Sequence, residues 1–316
     1  MQPYLYLKYP INYKDIKSIL EYGEYKTVTF FIDLQNIARG LYNKKTIELE
    51  ISNYDENKQM YTLPYELFEY IKRINNYYKN WDPFFVIYYD EGKSKYHTGI
   101  YSKYKSERKI AVLEDQLLVN IFYELKRFYF QTIYEIFNNY DNCIVIYLKD
   151  YESDFVPHYV IKNNYLDTRE KTNLNILLTS DKDNLQTTIF ENTLQHITTF
   201  KKTKYYQRLY NKRNGISFIY SNFKPGILDT SYIPLILSIT GDKSDNIPGI
   251  KGFGPKKAID FIIQHELKPD LSNIHKVKDV IDIKTVERNF KLISFDYLID
   301  YINKKPLEYI DKFFVE

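Results

Sequence analysis

Eight acidic side chains recur in five short segments, and their types and spacing suit one kind of chemistry. Asp33 closes the apolar run TVTFFI and Asp90 closes FFVIYY, while Glu152 and Asp154 stand two apart in DYESDFV. Asp181 and Asp183 alternate in TSDKDNLQ, and Asp242 and Asp245 lie three apart in GDKSDN. Taken singly, each reads as a helix N-cap or a solvated acid. Brought together, two carboxylates about 5 Å apart at an effective dielectric of about 20 repel by about 3 kcal/mol, so a pit of eight calls for cations. Oxygen-only ligands select hard ions, Mg²⁺ or Mn²⁺. The five histidines (His97, His158, His196, His265 and His275) show no ligand-like pairing, and a single cysteine excludes a thiolate zinc site. Two such ions about 4 Å apart activate water and stabilise the leaving oxygen of a phosphodiester.

To act together these acids must reach one place. Apolar runs that end in an acid and lead into a helix-like segment recur: Thr27–Ile32 before Asp33, Phe84–Tyr89 before Asp90, and Asn175–Thr179 before Asp181. Alternating strands and helices imply an α/β layered fold with a mainly parallel sheet, whose ligand crevice lies beyond the carboxyl ends of its strands. Glu152 and Asp154 open another helix-like segment, and the step from Asp242 to Asp245 predicts both on one face of a helical turn. Leu113, Leu117, Ile121, Leu125, Phe128 and Ile133 predict one long amphipathic helix over 110–140, its stripe packed on the core. From Lys201 the chain turns polar, basic and Tyr-rich (KKTKYYQRLYNKRN), and an apolar run over 232–240 leads into a glycine cluster. We expect residues 1–24 to be an extension, 25–225 the α/β core, and 226–316 a second, helical module.

The most specific segment is SITGDKSDNIPGIKGFGPKKAIDFIIQH, residues 238–265. Its apolar, Pro and Gly spacing predicts a helix-hairpin-helix over about 241–265, with a tight turn carrying Gly249, Gly252 and Gly254 and a second helix opened by Pro255. Glycine suits a turn that needs positive φ and whose N–H groups must come close to a phosphate. Lys251, Lys256 and Lys257 add charge beside it, so the hairpin is expected to grip a sugar-phosphate backbone without reading bases. A second basic stretch, KSKYHTGIYSKYKSER (93–108), interleaves cations with rings, which suits single-stranded nucleic acid, although 34 tyrosines make such interleaving common in this chain.

Composition is permissive. The 316 residues are 44% hydrophobic and 17% aromatic with only ten Gly and eleven Pro, so disorder is excluded and one large or two smaller packed domains are expected. The longest apolar runs fall far short of the about 18 residues of a membrane span, and residues 1–22 hold no signal-like apolar stretch. The lone Cys143 excludes an internal disulfide and reads as a buried strand thiol, as in a cytoplasmic protein. A net charge of +3 conceals an asymmetry: setting the eight clustered acids apart leaves 33 acids against 44 Lys and Arg, a surplus of eleven. A basic body around an acidic pit suits a polyanion held beside metal ions, although A/T-rich coding would produce the same Lys, Asn, Ile and Tyr abundance.

In order along the chain, FIDLQNIAR (31–39), VIYYDEGKS (86–94), YKSER (104–108), YESDFV (151–156), TSDKDNLQ (179–186) and GDKSDNIPGIKGFGPKKA (241–258) resemble the motifs of the 5′ nuclease or flap endonuclease family. That family includes bacteriophage 5′-exonucleases and ribonucleases H and the 5′-nuclease domain of bacterial DNA polymerase I. The resemblance spans about residues 27–265. It implies a PIN-like nuclease core, a helical arch (about 93–130) that passes a 5′ single strand, and a helix-hairpin-helix that holds duplex with a bound K⁺. It further implies a first metal site of Asp33, Asp90, Glu152 and Asp154 and a second of Asp181, Asp183, Asp242 and Asp245, filled by two Mg²⁺ or Mn²⁺ ions. Lys105 and Arg108 match the basic pair that grips the scissile phosphate, with Arg39, Lys93 and Tyr104 nearby. The activity so implied is 5′–3′ exonuclease and flap endonuclease, in DNA replication and repair, at flaps, nicks and duplex 5′ ends, RNA primers in RNA:DNA hybrids included. The expected protein is a monomeric, stand-alone nuclease working with replication proteins in the nucleoid or a phage-infected bacterial cell.

Three positions depart from the family pattern. Phe155 stands where many members carry a further Asp, Glu107 replaces the usual Asn of the arch motif, and Pro157 should kink or delay the helix expected after Glu152. Two other readings stay open. A catalytically silent DNA-binding protein on the same scaffold is favoured by Phe155, and a PIN-type ribonuclease for single-stranded RNA would not need the glycine hairpin.

Overall fold

An unbroken series of β-branched and aromatic residues makes Thr27–Asp33 (β1) a strand suited to burial on both faces, and it lies at the centre of the sheet. The computed structural model describes residues 13–39, 62–92, 94–106, 130–137, 140–201, 204–302 and 304–315. Pro83–Glu91 (β2), Cys143–Lys149 (β3), Asn173–Leu178 (β4) and Thr193–Lys201 (β5) continue a parallel sheet, and Lys204–Tyr210 (β6) returns antiparallel at its edge. The order is β3-β2-β1-β4-β5-β6, a mainly parallel α/β sheet. A separate two-stranded hairpin pairs Gly241–Asp242 (β7) with Ile247–Pro248 (β8). Helices among the described residues include Tyr13–Tyr22 (α1), Leu34–Arg39 (α2), Thr62–Tyr78 (α3), Lys95–Ile100 (α4), Val156–Lys162 (α5), Ile233–Thr240 (α6), Pro255–Gln264 (α7), Ile283–Ile293 (α8), Phe295–Tyr301 (α9) and Lys304–Asp311 (α10). None of the described helices is long and apolar enough to cross a membrane.

Side chains of β1 alternate between two cores, as the two-residue strand period requires. Val28, Phe30 and Ile32 pack with Ile16 and Leu20 of α1, Ile74 of α3, and Phe137 of a helix over 130–137. Phe31 joins Val86, Ile146 and Leu177 on the other face, under Val160 of α5 and Phe295 and Leu298 of α9. The chain adds β2 and β3 on one side of β1 and then crosses to place β4 on the other. That reversal opens a crevice at the carboxyl ends of β1 and β4, the end of the sheet at which Asp33 and Asp90 lie.

Several expectations change on this frame. Residues 13–22 are no loose extension, because Ile16 and Leu20 are fully buried against the sheet; residues 1–12 lie outside the described residues. The division at about 226 separates no core, since Leu185, Ile197 and Ile216 share one cluster with Ile236, Ile259 and Val286, while Phe295 and Leu298 cover the sheet. Within the basic, Tyr-rich stretch after Lys201, Lys204–Tyr210 forms the antiparallel edge strand. Of the long helix expected over 110–140, only 130–137, which is helical, and Tyr140, which is not, fall among the described residues; 107–129, and with them Glu107, Arg108 and most of the expected arch, lie outside them. Pro157 does delay its helix: α5 starts at Val156, with Pro157 in the first turn where a missing N–H costs nothing. Cys143 is buried on β3, and burial pushes its thiol up to about 12.

Candidate metal centre

The acids of the first group are held from several sides. Asp33 at the end of β1 accepts the Asn36 N–H at 2.9 Å and the Thr179 hydroxyl at 2.8 Å. Asp90 near the end of β2 accepts the Gln35 side-chain amide at 3.0 Å through Oδ1, and the Ser153 N–H at 2.9 Å and hydroxyl at 3.1 Å through Oδ2. Gln35 and Asn36 belong to α2, directly after β1, and Ser153 lies between Glu152 and Asp154, so adjacent loops at one sheet edge orient each other's carboxylates. Asn36 also accepts the Ser180 N–H at 3.0 Å, tying α2 to the loop after β4.

The second group is assembled by a different device. Asp183 opens a 3₁₀ helix, Asp183–Ile189, and its N–H donates to Asp181 Oδ1 at 3.1 Å. Asp242 and Asp245 do not sit on a helical turn as their spacing predicts, because α6 stops at Thr240. Gly241 adopts φ +75°, and the chain turns into the β7–β8 hairpin. Asp242 Oδ1 accepts the Ser244 N–H at 2.9 Å and hydroxyl at 2.6 Å. The hairpin packs so closely on the end of α6 that a Cβ on Gly249 would collide with the Thr240 carbonyl. Gly249 therefore serves the protein's own packing. Gly252 has φ +83° and Gly254 opens onto free space, beside exposed Lys251, Lys256 and Lys257. Because backbone cannot yield as a side chain can, Gly249→Ala should cost roughly 3 kcal/mol of stability and lower the midpoint of thermal unfolding measurably. An unchanged midpoint would contradict the packing described.

Oxygen atoms of Asp183, Asp242 and Asp245 all lie within 4.8 Å of one another. Among the described residues no other trio of potential ligands does so. Asp183 Oδ1 is buried without a hydrogen-bond partner, which is what an oxygen awaiting a cation looks like. The donor set is carboxylate oxygen throughout, so these residues fit a hard divalent ion.

Two lysines lie among the acids. Lys105, at φ +52°, pairs with Glu152 Oε1 and stands 3.5 Å from Asp245 Oδ2. Its segment is anchored on the hairpin: its N–H donates to the Asp245 carbonyl at 2.9 Å, and the Asn246 amide reaches the Lys103 carbonyl at 2.9 Å. Lys182 stands 2.7 Å from Asp242 Oδ1. The Tyr104 hydroxyl lies 2.8 Å from Glu152 Oε2 and 2.9 Å from Asp245 Oδ2 and links the two groups. Its ring is buried and stacked on His97 at 4.6 Å, so it organises carboxylates instead of offering a face to a base. His97 is closed off in turn, with Nδ1 2.6 Å from the Ser94 hydroxyl and Nε2 3.1 Å from the Leu292 carbonyl, and burial lowers its pKa.

Burial sets the electrostatics. It pushes Asp33 up to about 7 against the bonds from Asn36 and Thr179, and the charges of Asp181 and Asp90 add to it. Asp154 and Asp183 are held well above the carboxylate range by burial and then by Asp181, and Asp90 and Asp181 are raised by burial too. Glu152 goes the other way: burial opposes its charge, but Lys105 and His97 outweigh it.

All eight acids thus gather at the crevice, with Lys105 between the groups. Arg108 and Lys93 lie outside the described residues, as does the side chain of Arg39 at the end of α2. Lys182, Gln35, Ser153 and Thr179 are site residues that sequence reading passes over, although each lies within two residues of a recognised acid. Phe155 is fully buried and lines, with Asp154, Asp183 and Tyr104, a small cavity behind the acids.

No protein-family model matches the chain. It is 27% identical over 220 residues, 68% of its length, to DNA polymerase I of Caldicellulosiruptor bescii, and spans 23% of the length of that relative. A bacteriophage T5 protein co-crystallised with metal ions superposes with a TM-score of 0.61 at 16% identity, covering 90% of this chain and 96% of that one. The T5 5′-exonuclease with bound zinc gives 0.61 at 17% identity, and the T5 flap endonuclease in a complex with DNA and metal ions gives 0.59 at 17%, each over 90% of this chain and 96% of the other. The chain therefore has the fold of these nucleases, and the resemblance read from its motifs extends to the backbone.

Proposed function

We propose that this protein is a two-metal 5′ nuclease that hydrolyses phosphodiester bonds at 5′ flaps, nicks and duplex 5′ ends of DNA. The observation that carries the reading is the convergence of eight carboxylates and Lys105 at the switch point of a parallel sheet, next to a glycine hairpin flanked by exposed lysines. Asp183, Asp242 and Asp245, with Asp181, would hold one ion, and Asp33, Asp90, Glu152 and Asp154 the other. The ions, Mg²⁺ or Mn²⁺, would supply Lewis-acid stabilisation of the charge that develops on the phosphate. The chain's own residues do the rest. Gln35, Ser153 and Thr179 fix the angles of Asp90 and Asp33, and Tyr104 keeps Glu152 and Asp245 in register. Lys105 is placed to exchange its carboxylate partners for a phosphate oxygen and to draw the scissile group in.

The hairpin, with Lys251, Lys256 and Lys257 and a K⁺ ion, would hold duplex by its backbone, and Lys93, Arg39 and Arg108 would guide the 5′ strand, so that shape rather than base sequence selects the substrate. RNA primers in RNA:DNA hybrids, a monomeric state, replication proteins as partners and a cytoplasmic setting complete the reading. The test is a 5′-labelled flap and a blunt duplex incubated with Mg²⁺ or EDTA, alongside Asp181→Asn. Mg²⁺-dependent cutting near the flap junction that the variant loses is expected. Binding without cutting, unchanged by EDTA or the variant, would leave a DNA-holding protein on a nuclease scaffold.

A further inference from the structure

Lys182 has no task in the chemistry above, yet it stands inside the second acidic group. It lies in sequence between Asp181 and Asp183 and reaches across to the hairpin, where its Nζ is 2.7 Å from Asp242 Oδ1. Its own side chain is 29% exposed, whereas that of Asp242 is 4% exposed. A lysine that is one-third open to solvent on a flexible four-carbon stem can leave; a buried carboxylate cannot. The same Asp242 belongs to the trio that fits a divalent ion. An ammonium group and a divalent cation on one carboxylate repel each other.

We propose that Lys182 is a resident counter-ion of the Asp183, Asp242 and Asp245 trio, a positioning residue that keeps Asp242 paired until a divalent cation displaces it. Filling of the second metal site and release of Lys182 are then one exchange, and the lysine sets the metal concentration at which it occurs. This rests on the reading that the trio binds a divalent ion.

The test titrates Mn²⁺ calorimetrically into the full chain, without nucleic acid, for the wild type and for Lys182→Met, Lys182→Arg and Asp242→Asn. Lys182→Met keeps the apolar stem and is expected to tighten the second binding step on the order of tenfold, whereas Lys182→Arg, which retains the charge, restores the weaker wild-type step. Thermal unfolding supplies a readout that a merely structural lysine would not produce: Lys182→Met should unfold at a lower temperature than wild type in EDTA, and the gap should close in saturating Mn²⁺. Should Lys182→Met fold poorly, Lys182→Gln makes the same comparison. Equal or weaker Mn²⁺ binding in the neutral variants, or a stability gap that persists in Mn²⁺, would overturn the counter-ion role while the metal site stands. If neither wild type nor variants bind Mn²⁺, or Asp242→Asn loses nothing, the metal reading itself fails.

Discussion

Replacing Asp183 by Asn is expected to make the protein more stable without metal and, at the same time, to abolish cleavage. Burial and the charges of Asp181, Asp242 and Asp245 hold the Asp183 carboxyl well above the ordinary range, and one of its oxygens has no hydrogen-bond partner. At neutral pH, ionising it in that setting costs folding free energy, and an isosteric amide removes the cost. The same change takes one oxygen charge from the trio within 4.8 Å and weakens the hold on a divalent ion. Cleavage of a flap should fall on the order of 10³-fold or more. DNA affinity should hold or rise, because a negative charge beside the phosphate is gone. Single-turnover cleavage, thermal unfolding in EDTA and equilibrium binding check the three parts. A variant that loses stability, or keeps its rate, would show that Asp183 is a structural residue. Opposite signs for stability and rate are the mark of a group strained for function.

The second large effect is on the pH dependence of stability. Asp33, raised to about 7, and Asp154, Asp181 and Asp183, raised as well, bind protons more tightly in the folded state than in the unfolded chain, whose carboxyls titrate near about 4. Between those limits the folded state holds more protons, so stability falls as pH rises from about 4 to about 7. Asp90 is raised too, whereas Glu152, lowered, and His97 and His196, lowered by burial, contribute the opposite slope, three groups against five. The metal-free protein should therefore melt about 5 °C or more higher at pH 5.5 than at pH 8. Divalent ions bind only the deprotonated carboxylates, so millimolar Mg²⁺ should stabilise chiefly at the high-pH end and flatten or reverse the slope. Melting curves across pH, with EDTA or Mg²⁺, decide the matter. A flat or rising profile in EDTA would mean that the eight acids are solvated and do not share a pit.

Much of this was legible in the sequence, for local reasons. TVTFFI and FFVIYY are strands because β-branched and aromatic runs of that length have few other stable fates, and in parallel sheets the residues that end them must lie at one edge. Asp33 and Asp90 needed nothing more. The glycine spacing likewise announced a hairpin between α6 and α7. Two local patterns misled: Asp242 and Asp245 have helical spacing, but Gly241 at positive φ ends the helix first, and Tyr104 looks like a stacking ring until burial shows its hydroxyl turned onto two acids. Gly249 has a third kind of ambiguity, since lack of a side chain serves close packing and close phosphate approach equally well, and only the neighbouring Thr240 carbonyl tells them apart.

The sequence by itself determined the α/β architecture and which acids reach the crevice, because strand runs, turn residues and charge types act over a few neighbouring positions. Only the tertiary structure decided how the acids are partnered: that Tyr104 links Glu152 to Asp245, which lies 141 residues further along the chain than Tyr104, that Lys105 and Lys182 answer different carboxylates, and that α1 and α9 belong to the cover of the sheet. Those contacts follow from where the chain crosses from one side of β1 to the other, and the electrostatic energy of a buried charge depends on what that crossing brings within a few ångströms, which no local pattern records.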